Sequence, residues 1–246
     1  MYLVIALLLS LLIGLSLGML GGGGSILTVP ILVYALGLPA PEAIASSLIV
    51  VGITSATGAA RHARSGNVEW RTGLVFGAAG MAGAFLGGRA AGWFSDRTLL
   101  LSFAAIMVVT AVAMFRGRRE RPEASPPASK LRLAVYGSIV GVVTGWVGAG
   151  GGFLVVPALA LAGGLPMRRA VGTSLLVIAA NSVAGFLGRV GDVTIDVPLT
   201  AAVTAAAVVG SLAGGALADR LPQETLRKGF ALFVLVLAVF QIWQEL

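Results

Sequence analysis

The chain of 246 residues is 57% hydrophobic and only 11% charged, and its mean hydropathy is +0.97. This composition excludes an ordinary soluble domain and predicts an integral membrane protein. The formal net charge is +7, but the basic residues fall in short clusters between neutral stretches, so nucleic-acid binding explains the basic excess poorly. Because the chain has no cysteine and a single histidine, His62, disulfides, thiolate metal sites and histidine-rich metal clusters are excluded.

Long uncharged segments follow one another along the chain. The first begins at the N-terminus, and we interpret it as a membrane segment and not a signal peptide, because it lacks a basic n-region and a cleavage site. Most segments approach the ~20 residues that a helix needs to cross a bilayer, and the alternation of a barrel is missing, so the fold class is predicted to be all-α. The uncharged segments are residues 1–41, 43–60, 72–88, 98–115, 133–167, 170–188, 197–218 and 229–244.

The two halves of the chain repeat each other at an offset of 127 residues, so that Gly14 aligns with Gly141 and Ser47 with Ser174. Between them lies the charged, Pro-rich sequence RGRRERPEASPPASKLR, which is typical of a linker. We therefore divide the chain into transmembrane repeat 1 (1–115), a linker (116–132) and transmembrane repeat 2 (133–246), an internal duplication of the kind found in transporters.

The distribution of Lys and Arg predicts that the repeats are inverted. If every neutral segment crossed once, the 17 basic residues would divide ten against seven. If the long first and fifth segments enter and return to the same side, fourteen of the 17 lie on one side, which leaves Arg89, Arg97 and Arg189 on the other. That asymmetry is expected of cytoplasmic loops. The linker is then cytoplasmic, both termini are external, and the chain resides in a plasma or bacterial inner membrane.

Each of these two long segments contains a glycine-rich run, Gly21–Gly24 or the sequence GAGGG at 148–152. Consecutive glycines favour a break in a helix, and the piece after the first run, 26–36, would rise only about 17 Å as a helix. It is either half of a re-entrant pair or a short tilted helix. A helix that starts at bare glycine amides inside the protein would stabilise an anion. The alternative is that glycines only permit close helix packing, as expected for the spaced pairs Gly14/Gly18, Gly83/Gly87, Gly141/Gly145 and Gly210/Gly214.

Polar side chains inside the second and sixth segments are further candidates for an anion site. Ser47 and Thr54 are seven residues apart, as are Ser174 and Asn181, so each pair lies on one helical face. Hydroxyl and amide groups can donate to an oxyanion without an opposite charge being buried. The alternative is that each hydroxyl bonds a carbonyl of its own helix. Other polar residues of these segments are Ser46, Ser55, Thr57, Thr173 and Ser182.

The sequence resembles the TauE/SafE (sulfite exporter) family of membrane proteins. The resemblance rests on GMLGGGGSILTVPIL at 18–32 and GWVGAGGGFLVVPAL at 145–159, each followed by Gly-Leu-Pro and then by AIASSL or AVGTSL. Ala149 departs from the all-glycine pattern at the position that matches Gly22. The resemblance covers nearly the whole chain and implies a transporter of sulfite, sulfonates or related small anions.

We therefore predict a secondary transporter, in the exporting direction, that binds a small sulfur oxyanion near the bilayer midplane between the starts of the two broken helices. A passive anion channel is the main alternative, and a membrane-embedded enzyme is disfavoured because no carboxylate pair or histidine cluster lies within the segments. No catalytic residue, cofactor or metal is predicted, and a homo-oligomer is left open. The candidate binding residues are Gly21, Gly22, Gly23, Gly24, Ser25, Ser46, Ser47, Thr54, Gly148, Ala149, Gly150, Gly151, Gly152, Thr173, Ser174 and Asn181.

Overall fold

A computed structural model describes residues 2–20, 25–116, 129–147, 152–161, 163–189, 191, 193–218 and single helical residues between 228 and 243. The regular structure in these ranges is helical throughout, without a strand, as the hydropathy pattern predicted. The short helix over residues 25–35 is irregular, with a single α-helical turn at Thr28–Pro30 and a π-helical turn at Ile31–Ala35. The helices are α1 (Tyr2–Leu20), α2 (Ser25–Ala35), α3 (Ala40–Arg64), α4 (Trp70–Ala91), α5 (Asp96–Arg116), α6 (Lys130–Val147), α7 (Gly152–Leu161), α8 (Met167–Leu187) and α9 (Val197–Ala218).

Four helices in the described part of the chain are long and apolar enough to cross a membrane. The spans are Ala40–Arg64, Trp70–Ala91, Arg168–Leu187 and Val197–Leu217. They coincide with the second and third uncharged segments of repeat 1 and with their counterparts in repeat 2. By length and composition, each of these four helices can cross a membrane.

The two Gly-Leu-Pro sequences end the short helices and begin the long ones. Gly37 and Gly164 have φ values of +70° and +67°, a left-handed conformation that glycine adopts without steric cost. The N–H of the next leucine donates to the carbonyl of Leu32 at 3.1 Å in the first repeat and of Leu159 at 3.3 Å in the second. The proline then serves as the N-cap residue of α3 or α8. Identical local chemistry therefore produces the same turn in both halves.

Spaced glycines bring helices of different repeats into close contact, as the packing interpretation predicted. The first helix of each repeat packs on the fourth helix of the other, so that α1 lies on α9 and α6 lies on α4. A side chain at any of these glycines would collide with a backbone carbonyl of the facing helix. The pairs are Gly14 with Ala207, Gly18 with Ser211, Gly83 with Ser138, Gly87 with Val142, Gly141 with Gly80, Gly145 with Ala84, Gly210 with Leu11 and Gly214 with Leu15.

The order of the contacts gives the relative direction of the helices. Residue numbers rise together in the pairs between α1 and α9 and between α4 and α6, so the helices of each pair are parallel. Between α3 and α8 the numbers run in opposite senses, since Gly52 faces Ser182 whereas Gly58 faces Leu175. The corresponding helices α3 and α8 are therefore antiparallel, and they cross at the centre of the fold.

We expect Gly83→Ala to destabilise the protein, because its new methyl group would overlap the Ser138 carbonyl in a helix contact that cannot widen locally. Gly77→Ala is the matched control in α4, since its nearest neighbour would be the Val177 Cγ2 atom at 3.7 Å, an ordinary contact. Overpacking of this kind costs about 1–3 kcal/mol, whereas alanine in the open position is neutral or stabilising. Thermal unfolding of both variants in detergent measures the difference, and equal midpoints would contradict this account of α4 and α6.

Candidate functional site

The antiparallel pair α3 and α8 carries most of the described polar candidates, and they are buried. Ser46, Ser47, Thr54, Thr173, Ser174 and Asn181 are each at most 1% exposed. Glycines allow this close crossing, since a side chain at Gly52 would lie 3.1 Å from the Ser182 Cβ atom. Polar groups at the centre of a membrane-spanning helix pair are costly, so each one requires a partner or a function.

Asn181 is a buried polar residue whose side-chain amide makes no hydrogen bond among the described residues. Both amide atoms, Oδ1 and Nδ2, are buried and have no hydrogen-bond partner among the described residues. The amide lies over Gly80 of α4, where an added Cβ would be 2.7 Å from Oδ1 and 2.9 Å from Nδ2. The glycine therefore leaves room for an amide that can both donate and accept. A buried amide without a partner requires an explanation in folding or in binding.

Three hydroxyl groups on the same two helices share this property. The Oγ1 atom of Thr54 and the Oγ atoms of Ser55 and Ser182 are buried without a hydrogen-bond partner in the described part of the chain. Thr54 is the residue that aligns with Asn181 in the repeat, and Ser55 aligns with Ser182. The sequence identified Thr54 and Asn181 as candidates and Ser55 and Ser182 only as polar residues of the segments. The repeat thus places equivalent polar groups on both helices.

Ser47 and Ser174 use their hydroxyl protons within their own helices. Ser47 Oγ donates to the Ile44 carbonyl at 2.7 Å, and Ser174 Oγ donates to the Val171 carbonyl at 2.7 Å. This is the alternative that the sequence left open for hydroxyls in membrane helices. In this conformation the two serines offer an anion no free proton, although rotation about χ1 would release one.

Ser46 and Thr173 connect the long helices near their beginnings. The Thr173 hydroxyl oxygen accepts a hydrogen bond from the Glu69 N–H at 2.9 Å, and the Ser46 hydroxyl oxygen accepts one from the Thr200 hydroxyl at 3.1 Å. The Glu69 carboxylate also pairs with Arg169 at 3.3 Å. These contacts fix the starts of α4 and α9 against α8 and α3.

Most of the glycine-rich candidates lie outside the described residues, namely Gly21, Gly22, Gly23, Gly24, Gly148, Ala149, Gly150 and Gly151. Ser25, which follows the first run, and Gly152, the last residue of the second run, are described and buried. They begin the short helices α2 and α7.

Two arginines were missed as candidates by the sequence reasoning, which placed them in loops. Arg189 is only 5% exposed, and its Nη2 atom donates to the carbonyls of Gly145 at 3.1 Å and Trp146 at 2.6 Å. The Arg61 guanidinium lies against Gly215 of α9. The signal was present in the repeat, since the arginines follow the equivalent glycines Gly58 and Gly185 by three and four residues.

Metal ligation and the described cavity are two other features of this part of the chain. No group of three or more metal-ligating side chains occurs there. A cavity of about 180 Å³ lies between α3, α4 and α8, but it is lined by apolar and aromatic side chains such as Ala59, Trp70 and Leu176. The residues that line this cavity offer an anion no charged group and no hydroxyl.

Comparison with known proteins relates the chain to membrane transporters. The family model described as "Sulfite exporter TauE/SafE" matches residues 6–240. A "Probable membrane transporter protein" of Xylella fastidiosa (strain Temecula1) is 34% identical over 241 residues, which cover 95% of this chain and 92% of the relative. The "Probable membrane transporter protein YdhB" of Bacillus subtilis is 25% identical, and the match covers 93% of this chain and 96% of the relative. A "Probable membrane transporter protein" of Haemophilus influenzae is 27% identical, and the match covers 97% of each chain. No solved structure matches.

Proposed function

Because this chain belongs to the sulfite exporter TauE/SafE family and is a membrane transporter, we propose that it carries a small sulfur oxyanion, such as sulfite or an organosulfonate, out of the cell. The observation that carries the proposal is the buried Asn181 amide, whose two polar atoms have no partner among the described residues. An oxyanion would supply acceptor atoms to its N–H groups and to hydroxyls of α3 and α8. Transport by a secondary mechanism agrees with the duplicated, glycine-broken sequence.

The binding site in this proposal lies at the crossing of α3 and α8. Thr54, Ser55, Asn181 and Ser182 line it from the two long helices, and Ser46, Ser47, Thr173 and Ser174 extend the same polar faces. The glycine-rich runs that precede α2 and α7 contribute backbone N–H groups, which stabilise negative charge at a helix start. Neutral donors suit a transported anion, because binding must be reversible and a fully paired buried charge would hold it too tightly.

We also propose that the two repeats are inverted in the membrane. Two observations support this. First, α3 and α8 are antiparallel. Second, α1 and α3 both run parallel to α9, whereas α6 and α8 both run parallel to α4. Since α1 and α3 run in the same direction, both start on the same side of the membrane. The chain between Leu20 and Ala40 must therefore return to that side. That path agrees with the fourteen-against-three distribution of Lys and Arg, and it makes the linker cytoplasmic.

The function is tested in proteoliposomes that contain the purified protein. We expect saturable uptake and exchange of sulfite or a short sulfonate from a panel that also includes sulfate and thiosulfate. Exchange that is faster than net flux identifies a transporter, whereas conduction that does not saturate identifies the alternative, a passive channel. Absence of any anion flux above that of empty liposomes would refute the proposed substrate class.

The topology is tested with single cysteines, which can be introduced freely because the chain has none. Ser95 follows α4 and is exposed, whereas Ser125 belongs to the linker. We expect an impermeant thiol reagent applied to intact cells to label Ser95→Cys and to spare Ser125→Cys until the membrane is permeabilised. The reverse pattern, or labelling of both from outside, would exclude the inverted arrangement.

A further inference from the structure

The two ends of the Asn181 amide require different partners. The side chain is buried, and neither Oδ1 nor Nδ2 has a hydrogen-bond partner among the described residues. An anion without protons can accept hydrogen bonds from Nδ2, but it offers nothing to Oδ1, which is only an acceptor. A buried carbonyl oxygen without a donor is costly. A ligand that satisfies only the Nδ2 end therefore leaves part of this cost in place.

The described residues supply Oδ1 with no O–H or N–H donor. The amide lies against α4, where a Cβ atom added at Gly80 would be 2.7 Å from Oδ1. Gly80 offers a Cα–H group on this side, which is a weak donor. The hydroxyls of Thr54, Ser55 and Ser182 on α3 and α8 have no hydrogen-bond partner in the described part of the chain, so none of them donates to Oδ1. This oxygen can accept a hydrogen bond from a donor that the ligand itself brings.

The amide distinguishes the second repeat from the first. The repeat relates Asn181 to Thr54 and Gly80 to Ala207. The carbonyls of Gly80 and Ala207 each face an equivalent glycine of a neighbouring helix, so the correspondence holds in the packing. The second repeat thus has an amide beside a glycine where the first has a hydroxyl and an alanine. A hydroxyl can turn its proton towards either kind of partner, whereas an amide always presents an acceptor beside its donors. The amide therefore adds a requirement for a donor that hydroxyls alone would not impose.

We propose that Asn181 is a specificity-determining residue that selects anions with a hydrogen-bond donor of their own, such as singly protonated sulfite or a sulfonate that carries an N–H group. The inference rests on the proposed function and adds the protonation state of the carried species. Singly protonated sulfite donates its O–H to Oδ1 and accepts from Nδ2 with a second oxygen on the same sulfur atom. Fully deprotonated sulfite, sulfate and sulfonates with only C–H groups leave Oδ1 buried without a donor.

The test compares methanesulfonate and sulfamate, two anions of nearly the same shape and the same charge, as inhibitors of sulfite exchange in proteoliposomes. Sulfamate carries N–H donors where methanesulfonate has a methyl group. We expect the wild-type protein to bind sulfamate roughly 10- to 100-fold more tightly than methanesulfonate, because a site that hydrogen-bonds a ligand donor rejects the analogue that lacks it. The quantity measured is the ratio of the two inhibition constants, which does not depend on the amount of folded protein in a preparation.

Asn181→Leu removes both ends of the amide at nearly the same volume, so it is expected to bring this ratio close to one. Gly80→Ala is a second variant with the same expected direction, because its methyl group would displace the amide. Gly77→Ala, one turn earlier on α4, is the matched control. Its Cβ atom would lie 3.7 Å from the Val177 Cγ2 atom, an ordinary contact, and the wild-type ratio is expected to persist.

Three results would overturn the proposal. They are equal inhibition constants for the two anions on the wild-type protein, failure of sulfamate to inhibit an active sulfite exchange, and a wild-type ratio that persists in both Asn181→Leu and Gly80→Ala. Failure of the proposed function has a different signature, because the wild-type protein would then exchange no sulfite at all.

Discussion

Replacing Gly24 or Gly151 by valine is expected to abolish anion binding and transport. In the proposed site, the backbone N–H groups of the two runs approach the anion directly, and a branched side chain would obstruct that approach without changing any charge. The expectation requires that the variants remain monodisperse in detergent and keep their helical content, which gel filtration and circular dichroism measure.

Gly83→Ala is the control for this experiment, because Gly83 packs α4 against α6. It is expected to lower the unfolding temperature more than the anion affinity. If the Gly24→Val and Gly151→Val proteins fold and bind the preferred anion as tightly as the wild type, the glycine-rich runs are only architectural.

Asn181→Leu is expected to lower anion affinity at least about tenfold while leaving the protein as stable as the wild type or more so. Leucine has nearly the shape of asparagine, so it fits over Gly80 where the amide lies. It removes two buried polar atoms that have no partner among the described residues, and such atoms cost about 1–3 kcal/mol each to bury. A group that serves binding and not folding produces this combination of weaker function and retained stability.

The matched control is Thr204→Val, which removes a buried hydroxyl that already donates to the Thr200 carbonyl at 2.6 Å. Its effect is expected on stability alone, by a few tenths of a kcal/mol to about 1 kcal/mol. Thermal unfolding and sulfite exchange are measured on both variants. A destabilised Asn181→Leu protein with unchanged affinity would show that the amide has a structural partner and no role in binding.

Features set by short-range chemistry were predictable from the sequence. The Gly-Leu-Pro turns follow from the left-handed conformation that Gly37 and Gly164 adopt, and the spaced glycines pack helices because only a missing side chain allows such close approach. Helical segments of membrane-crossing length follow from composition, since lipid leaves the backbone few alternatives.

Features that depend on side-chain rotamers and on tertiary contacts were not predictable. The same residue type behaves differently at neighbouring positions: the Ser47 hydroxyl donates to its own helix, whereas the Ser55 hydroxyl has no partner in the described part of the chain. The positions of the two serines in the sequence do not distinguish these two behaviours. Arg189 was assigned to a loop because it follows the end of an uncharged segment. Its burial arises because the end of α6, 43 residues earlier in the chain, lies beside it.

The most direct measurement of the central claim is a structure determined with selenite, a heavier analogue of sulfite whose selenium atom is located by anomalous scattering. The account predicts one selenium site at the crossing of α3 and α8, with its oxygen atoms within hydrogen-bond distance of the Asn181 amide and of a hydroxyl from Thr54, Ser55 or Ser182. Loss of that peak in the Asn181→Leu variant would identify it as the binding site. A selenium site elsewhere in a protein that transports sulfite, with the α3 and α8 crossing closed to it, would contradict the account.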